Sequence, residues 1–181
     1  MIISRTPFRI SFVGGGTDLR VFYKKEFGQV LSTSINKYIY VTAKFHNNYQ
    51  EKYRFNYSTT ESTNYIKKIK NLRIRETIKK LSINKPLYIN TFADLPSNSG
   101  LGSSSSFTIG LIKALTRLQN KELSTNQIAE LAFEIEAKIT NNSIGKQDHY
   151  IAAYGGLKKI LYKKNKVEIK KINISKKKIS H

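Results

Sequence analysis

A run of fifteen residues, ADLPSNSGLGSSSSF over Ala93–Phe107, joins an apolar β-rich segment to a periodic helical one. Gly100 and Gly102 allow positive φ and close approach of the backbone to a ligand. The serines add hydroxyls and backbone N–H groups. A helix that opens near Ser103 presents unpaired amides and the positive end of its dipole. Together these features suit a polyphosphate. The run is neither a Walker A sequence nor a G-x-G-x-x-G dinucleotide fingerprint. A flexible Gly/Ser linker is the plain alternative, but linkers are seldom framed by an apolar strand and an amphipathic helix.

The rest of the chain reads as strands in clusters, then helices, then strands, which argues for an α+β fold rather than repeated βαβ units. Residues 2–13 predict a strand with Pro7 at an edge or bend, broken by Gly14-Gly15-Gly16. Thr17-Asp18 is expected to open a short helix through Leu19, Val21, Phe22 and Tyr23. Val30–Ile35 and Tyr38–Phe45 predict a hairpin about Asn36-Lys37, and Tyr53, Phe55 and Tyr57 alternate as in a strand. Asn64–Leu81 is helical, with a register slip near Leu72 that predicts a bend or two short helices. Leu87–Phe92 follows Pro86 as a strand. Phe107, Leu111, Leu115 and Leu118 lie at helical spacing within Leu101–Gln119. Ser124 and Gln127 form a capping box before the stripe Ile128, Leu131, Ala132, Ile135 and Ile139. On that helix Glu134 has Lys138 as an i+4 partner. Asn141–Gly145 reads as a loop, Gln147–Ala153 as a short helix ended by Gly155-Gly156, and Leu157–Tyr162 with Val167–Ile172 as a hairpin. The expected division is a main unit over 1–162 and a terminal strand with a Lys-rich tail over 163–181.

A chain of 181 residues fits one domain with a core, or one domain with part of another. The absence of cysteine excludes disulfides and thiolate metal sites. No apolar run approaches the ~20 residues that span a bilayer, and MIISRTPFRI has no signal-peptide core. A cytoplasmic setting is therefore expected. The net charge of +20 comes from 32 Lys and Arg against 12 Asp and Glu, and reads as a composition bias, since Lys, Ile and Asn are spread along the whole sequence. A nucleic-acid face would use the same charge, but no RNP-type aromatic motif or helix-turn-helix signal accompanies it.

PSNSGLGSSSSF resembles the second conserved motif of the GHMP kinases. Arg5–Asp18, RTPFRISFVGGGTD, resembles their first motif, in the version carried by heptose 7-phosphate kinases and fucokinase-like members. Gly145–Gly156, GKQDHYIAAYGG, resembles the segment that carries that group's catalytic aspartate. The resemblance covers about Ile3 to Leu157, with the three motifs in order. It implies a ribosomal S5 domain 2-like N-terminal kinase domain that uses ATP and Mg²⁺. It implies phosphate binding by Pro96, Ser99, Gly100, Leu101, Gly102, Ser103, Ser104 and Ser105. Asp148 is implied as the residue that orients or deprotonates the acceptor hydroxyl, with Arg9 beside it to offset phosphate charge. Ser104 and Glu136 are implied as Mg²⁺ ligands, a donor set that suits this hard cation. Gly15, Gly16, Thr17 and Asp18 are implied at the sugar. His149 stands where relatives usually carry Gln and reads as a variation rather than a metal ligand, since His46 and His181 make no zinc spacing with it.

As the family pattern implies, a second, ferredoxin-like half with a third glycine-rich motif is expected beyond this domain, and nothing after Gly156 resembles it. A homo-oligomer or a complementing C-terminal half is the partner this suggests. The implied parent reaction is phosphorylation of the anomeric hydroxyl of D-glycero-D-manno-heptose 7-phosphate, on a route to surface-polysaccharide heptose. Three readings stay open beside it: another sugar kinase such as one acting on fucose, an inactive kinase domain, and a basic nucleic-acid-binding module.

Overall fold

The computed structural model describes residues 1–47, 51–164 and 166–173, so the Lys-rich tail expected over Ser175–His181 lies outside the described residues. Seven strands form one mixed sheet with the order β4-β3-β5-β2-β6-β7, and β1 pairs with β2. The strands are β1 (Ile2–Val13), β2 (Gly28–Phe45), β3 (Tyr53–Asn56), β4 (Thr60–Thr63), β5 (Leu87–Ala93), β6 (Leu157–Lys163) and β7 (Lys166–Lys171). The helices are α1 (Arg20–Tyr23), α2 (Leu72–Lys80), α3 (Ser103–Leu118), α4 (Thr125–Ile139) and α5 (Gln147–Tyr154), with a 3₁₀ turn at Ile66–Lys68. The break between that turn and α2 is the register slip expected near Leu72. Asn71 caps α2 by accepting from the Ile74 amide.

The hairpin expected about Asn36-Lys37 is not formed, because Gly28–Phe45 is one continuous strand. β1 runs antiparallel along it from Ile2↔Ala43 to Val13↔Leu31, and the register slips where Pro7↔Tyr38 gives way to Arg9↔Ser34. Ile35, Asn36 and Lys37 therefore stand opposite Phe8 alone. The polar dipeptide is taken up as a bulge rather than a turn. Neither Asn36 nor Lys37 adopts the positive φ that a two-residue hairpin turn demands. Continuous pairing with a twelve-residue partner outweighs the local turn signal. The other edge of β2 is shared by β6, at Gly28–Thr33, and β5, at Ile39–Phe45. Directly after the bulge, Arg9 lies opposite Ser34, and its amide donates to the Leu101 carbonyl at 3.0 Å.

α3 is buried on nearly every side. Its buried residues run from Ser105 to Thr116 and include polar Ser105, Ser106, Thr108 and Thr116 as well as the apolar stripe. A helix enclosed all round is a core helix rather than a surface one. Gly110 makes this enclosure workable: a Cβ there would lie 3.1–3.3 Å from Thr6 Oγ1, Val41 Cγ2 and Ser4 Oγ, so its absence lets α3 sit directly on β1 and β2. Ser4 Oγ donates to the Gly110 carbonyl at 2.7 Å across this seam. On the opposite flank Ile109 and Ile112 pack with Ile128, Ala132 and Ile135 of α4 and Ala152 of α5.

The capping box at Ser124 is made in both directions. The expected Glu134–Lys138 pair is not made. Glu134 instead meets Lys80 at 3.0 Å, and Lys138 meets Glu76 at 2.6 Å, because α2 lies alongside α4 and offers interhelical partners. The hydrogen bond from Lys138, against a smaller opposing effect of burial, holds the Glu76 carboxyl down at about 2. Among the described residues no helix is long and apolar enough to cross a membrane.

Candidate active site

Four segments far apart in sequence converge where α3 begins. The loop before α3 makes three left-handed steps, Asn98 at φ 67°, Gly100 at 72° and Gly102 at 77°. Gly102 is the N-cap and brings no side-chain acceptor, so the first amides of α3 keep their donors for another partner. Glycine is needed at position 102 on a second count, because a Cβ there would press on Arg9 Cγ at 3.0 Å.

Arg9 ties the loop to α5. Its Nε donates to Asp148 Oδ1 at 2.7 Å, Nη2 to Oδ2 at 2.6 Å, and Nη1 to the Gly100 carbonyl at 2.7 Å. All three guanidinium nitrogens are thus engaged in a two-point grip on the carboxylate and one on the loop. Asp148 sits in the first turn of α5, where the helix dipole favours an anion.

Glu136 of α4 is 3% exposed, yet it meets a full set of donors. Its Oε1 accepts from Thr108 Oγ1 at 2.6 Å and Arg73 Nε at 3.0 Å. Its Oε2 lies 3.3 Å from both Ser104 Oγ and Ser105 Oγ. The His149 ring, 1% exposed, brings Nε2 within 3.4 Å of the same Oε2 and within 3.3 Å of Ser105 Oγ. Burial alone would push the Glu136 carboxyl up. The His149 ring, the Arg73 guanidinium and the Thr108 hydroxyl outweigh that and hold it down at about 2.

Two cavities flank this centre and share Ser104. One, of about 310 Å³, is lined by Arg9, Gly16, Asp18, Ser104, Ser105, Glu136, Gly145, Gln147, Asp148 and His149. The other, of about 430 Å³, is lined by polar Ser103, Ser104, Arg73 and Asn98 and by apolar Phe8, Ile39, Tyr57, Leu95 and Phe107. A charged cleft and a largely apolar one therefore meet at the amino end of α3.

The residues picked out by sequence divide into four groups. Ser103, Ser104, Ser105, Glu136, Asp148 and Arg9 come together as expected. Gly100 and Leu101 serve the site through their carbonyls, which receive Arg9. Pro96 is exposed and lines neither cavity, and the Ser99 hydroxyl is buried without a partner among the described residues. At the glycine turn, Thr17 Oγ1 is spent locally: it lies 2.8 Å from the Gly14 carbonyl and 3.1 Å from that of Gln29, with one proton to donate, and accepts from the Gln29 amide at 3.0 Å. Gly16 lines the charged cleft, whereas Gly15 comes nearest it only through the Gln147 side chain, 3.7 Å from where a Cβ would be. Asp18 does not open α1, whose N-cap is Leu19. It is 2% exposed, accepts from the amides of Gly16 at 3.2 Å and Gln147 at 2.9 Å, and so caps α5 from a distance. Its carboxylate abuts Gly145, where a Cβ would fall 1.9 Å from Oδ2.

Arg73, Thr108 and the positioning contact of His149 were not legible beforehand. Arg73 lies on a lysine- and arginine-rich helix with nothing local to mark it. Thr108 reads as part of a buried face, and His149 as a simple replacement. Only the stacking of α2, α4 and α5 around α3 gathers them. Thr108 and His149 share one signal, polarity at buried helical positions, where a polar group needs a partner.

The model of the GHMP kinases N terminal domain family matches residues 64–156. The D-glycero-alpha-D-manno-heptose 7-phosphate kinase of Campylobacter jejuni is 33% identical over 175 residues, covering 91% of this chain and 52% of that one. A D-glycero-D-manno-heptose 1-phosphate kinase structure from Bacteroides thetaiotaomicron superposes with a TM-score of 0.87 at 26% identity, covering 97% of this chain and 61% of its own. The mevalonate kinase structure from Methanococcus jannaschii gives 0.73 at 27% identity, covering 96% and 56%. The chain thus spans about half the length of the curated heptose kinase it matches. The matched segment holds the serine-rich helix mouth, Glu136 and Asp148, and the chain belongs to the GHMP kinases, carrying their N-terminal domain.

Proposed function

We propose that this domain binds ATP with Mg²⁺ and phosphorylates the anomeric hydroxyl of a sugar phosphate, D-glycero-D-manno-heptose 7-phosphate, to give the 1,7-bisphosphate. The observation that carries the reading is the approach of Ser104 Oγ to Glu136 Oε2, 3.3 Å, at the open amino end of α3 and in the same cleft as Asp148. Polyphosphate oxygens suit the free amides of Ser103–Ser105. The apolar cavity beyond Ser103 suits a nucleobase, and the charged cleft beside Asp148 suits a polyhydroxylated acceptor.

The donor set fits a hard cation. Glu136 is held ionised, the hydroxyls beside it are oxygen ligands, and no thiolate or imidazole cluster competes among the described residues. Ser104 and Glu136 would hold Mg²⁺, which supplies charge neutralisation for the transferred phosphoryl group. Asp148 accepts the hydrogen bond of the acceptor hydroxyl and takes its proton as that oxygen bonds to the γ-phosphorus and the bond to the leaving ADP breaks. Both Asp148 oxygens already receive Arg9, so the carboxylate is held in a fixed direction, and orientation of the hydroxyl is its larger contribution. The choice of heptose rests on the glycine turn at Gly14–Asp18 and on the named activity of the relatives, with a cytoplasmic site of action part of the same reading.

The test is ATP consumption with Mg²⁺, comparing heptose 7-phosphate with fucose and galactose, beside Asp148→Asn. Turnover confined to the heptose phosphate, and lost in the variant while ATP still binds, is the expected result. Turnover of a free sugar instead would reassign the substrate, and an unaffected variant would remove Asp148 from the chemistry.

A further inference from the structure

Two arginines stand at the amino end of α3, and their donors are spent differently. Every nitrogen of the Arg9 guanidinium is committed, to Asp148 and to the Gly100 carbonyl. Three of its five N–H groups are so engaged, which fixes the direction of the whole fork. Arg73 of α2 makes one hydrogen bond, from Nε to Glu136 Oε1, and its Nη1 and Nη2 have no partner among the described residues. Its side chain is 31% exposed and forms part of the wall of the 430 Å³ cavity, together with Ser103 and Ser104. The unspent half of its fork thus belongs to the space where α3 offers its first amides.

Resting on the nucleotide reading above, we propose that Arg73 is a direct polyphosphate ligand and, through Nε, the clamp that orients Glu136. The two oxygens of Glu136 support this division. Oε1 is occupied by Arg73 and by Thr108 at 2.6 Å, whereas Oε2 is turned to Ser104 and Ser105. Arg73 therefore settles which carboxylate oxygen faces the phosphate side and brings a guanidinium to the same place. Arginine suits both tasks at once, because its planar fork can hold a carboxylate through Nε and a phosphate through Nη. Arg73 then shares the phosphate-neutralising role implied for Arg9, whose three hydrogen bonds fix Asp148 and the loop.

The experiment is calorimetric titration of the whole chain with adenosine, ADP and ATP in EDTA, and then with Mg²⁺·ATP. The proteins are the wild type, Arg73→Gln, Arg73→Lys and the distant, exposed Arg117→Gln. A direct phosphate contact does not need the metal. Arg73→Gln is expected to weaken ATP and ADP about tenfold in EDTA, the scale of one lost charge-assisted contact. Adenosine should be unchanged, and Arg117→Gln should match the wild type. Arg73→Lys keeps a cation but loses the fork, so it should fall between the two, and it carries the test if Arg73→Gln does not fold. Metal-free ATP affinity within twofold of wild type in a folded Arg73 variant would reduce Arg73 to a support for Glu136 and overturn the proposal. Wild-type protein that binds no nucleotide with or without Mg²⁺ would overturn the kinase reading itself, and this inference with it.

Discussion

Asp148→Asn should destabilise the fold as well as remove turnover, and the size of that loss follows from its pair with Arg9. The two bonds, at 2.7 and 2.6 Å, form a bidentate grip between side chains that are 14% and 24% exposed. Exposed pairs contribute up to about 1 kcal/mol, and breaking a fully buried pair costs about 3–5 kcal/mol. This pair lies between those limits, so about 2 kcal/mol is expected. Asparagine keeps one acceptor but turns an N–H toward an Arg9 N–H whichever way its amide is set, so shape alone does not rescue it. For a chain of this size each kcal/mol moves Tm by roughly 2–4 °C, so the variant should melt about 4–8 °C lower. The assay is thermal unfolding followed by circular dichroism on wild type, Asp148→Asn, Arg9→Gln and the double variant. A coupling energy of about 1–2 kcal/mol is expected from the cycle. A coupling below about 0.3 kcal/mol, with Tm unmoved, would refute the idea that Arg9 and Asp148 act as one unit.

Glu136 gives a pH signature. Its folded pKa lies at about 2, below the usual 4.5, so its contribution to stability is complete above the unfolded value and is lost as pH falls toward the folded one. Tm measured from pH 5 down to pH 2.5 should therefore fall more steeply for wild type than for Glu136→Gln; parallel curves would contradict the buried ion-pair account. Gly145→Ala places a Cβ against Asp18 Oδ2 and the strand-like contact of Leu19 with Gly145, and should cost about 1–3 kcal/mol in chemical denaturation. Ser124→Ala removes the capping box of α4 and should cost about 1 kcal/mol, with no change in nucleotide affinity; a variant as stable as wild type would show the cap to be idle.

The meeting of Ser103–Ser105, Glu136, Asp148 and Arg9 was legible from two kinds of signal. A glycine-rich turn ahead of a serine-rich helix is a local one, and Glu136, Asp148 and Arg9 were singled out by the resemblance of their segments to the family. The fold was legible where periodicity or capping is local, as at α4 and the break before α2. It was misread at Asn36-Lys37, where the deciding influence is the long-range ladder with β1 rather than the dipeptide. The same limit explains Arg73 and His149. Both act through helix packing around α3, which brings α2 and α5 against Glu136, and no spacing along the chain encodes that meeting. Asp18 fell between these cases: its place in the cleft was expected, while its capping of α5 across Gly145 depends on how the glycine turn folds back.

The central claim is that the first amides of α3 receive the phosphoryl groups of a nucleotide between Glu136 and Asp148. It is tested most directly by recording amide proton and nitrogen NMR shifts while a non-hydrolysable ATP analogue and Mg²⁺ are added. The account predicts that Gly102, Ser103, Ser104 and Ser105 show the largest displacements, moving together and saturating at one affinity. Amides there that stay in place while the nucleotide binds elsewhere would contradict it.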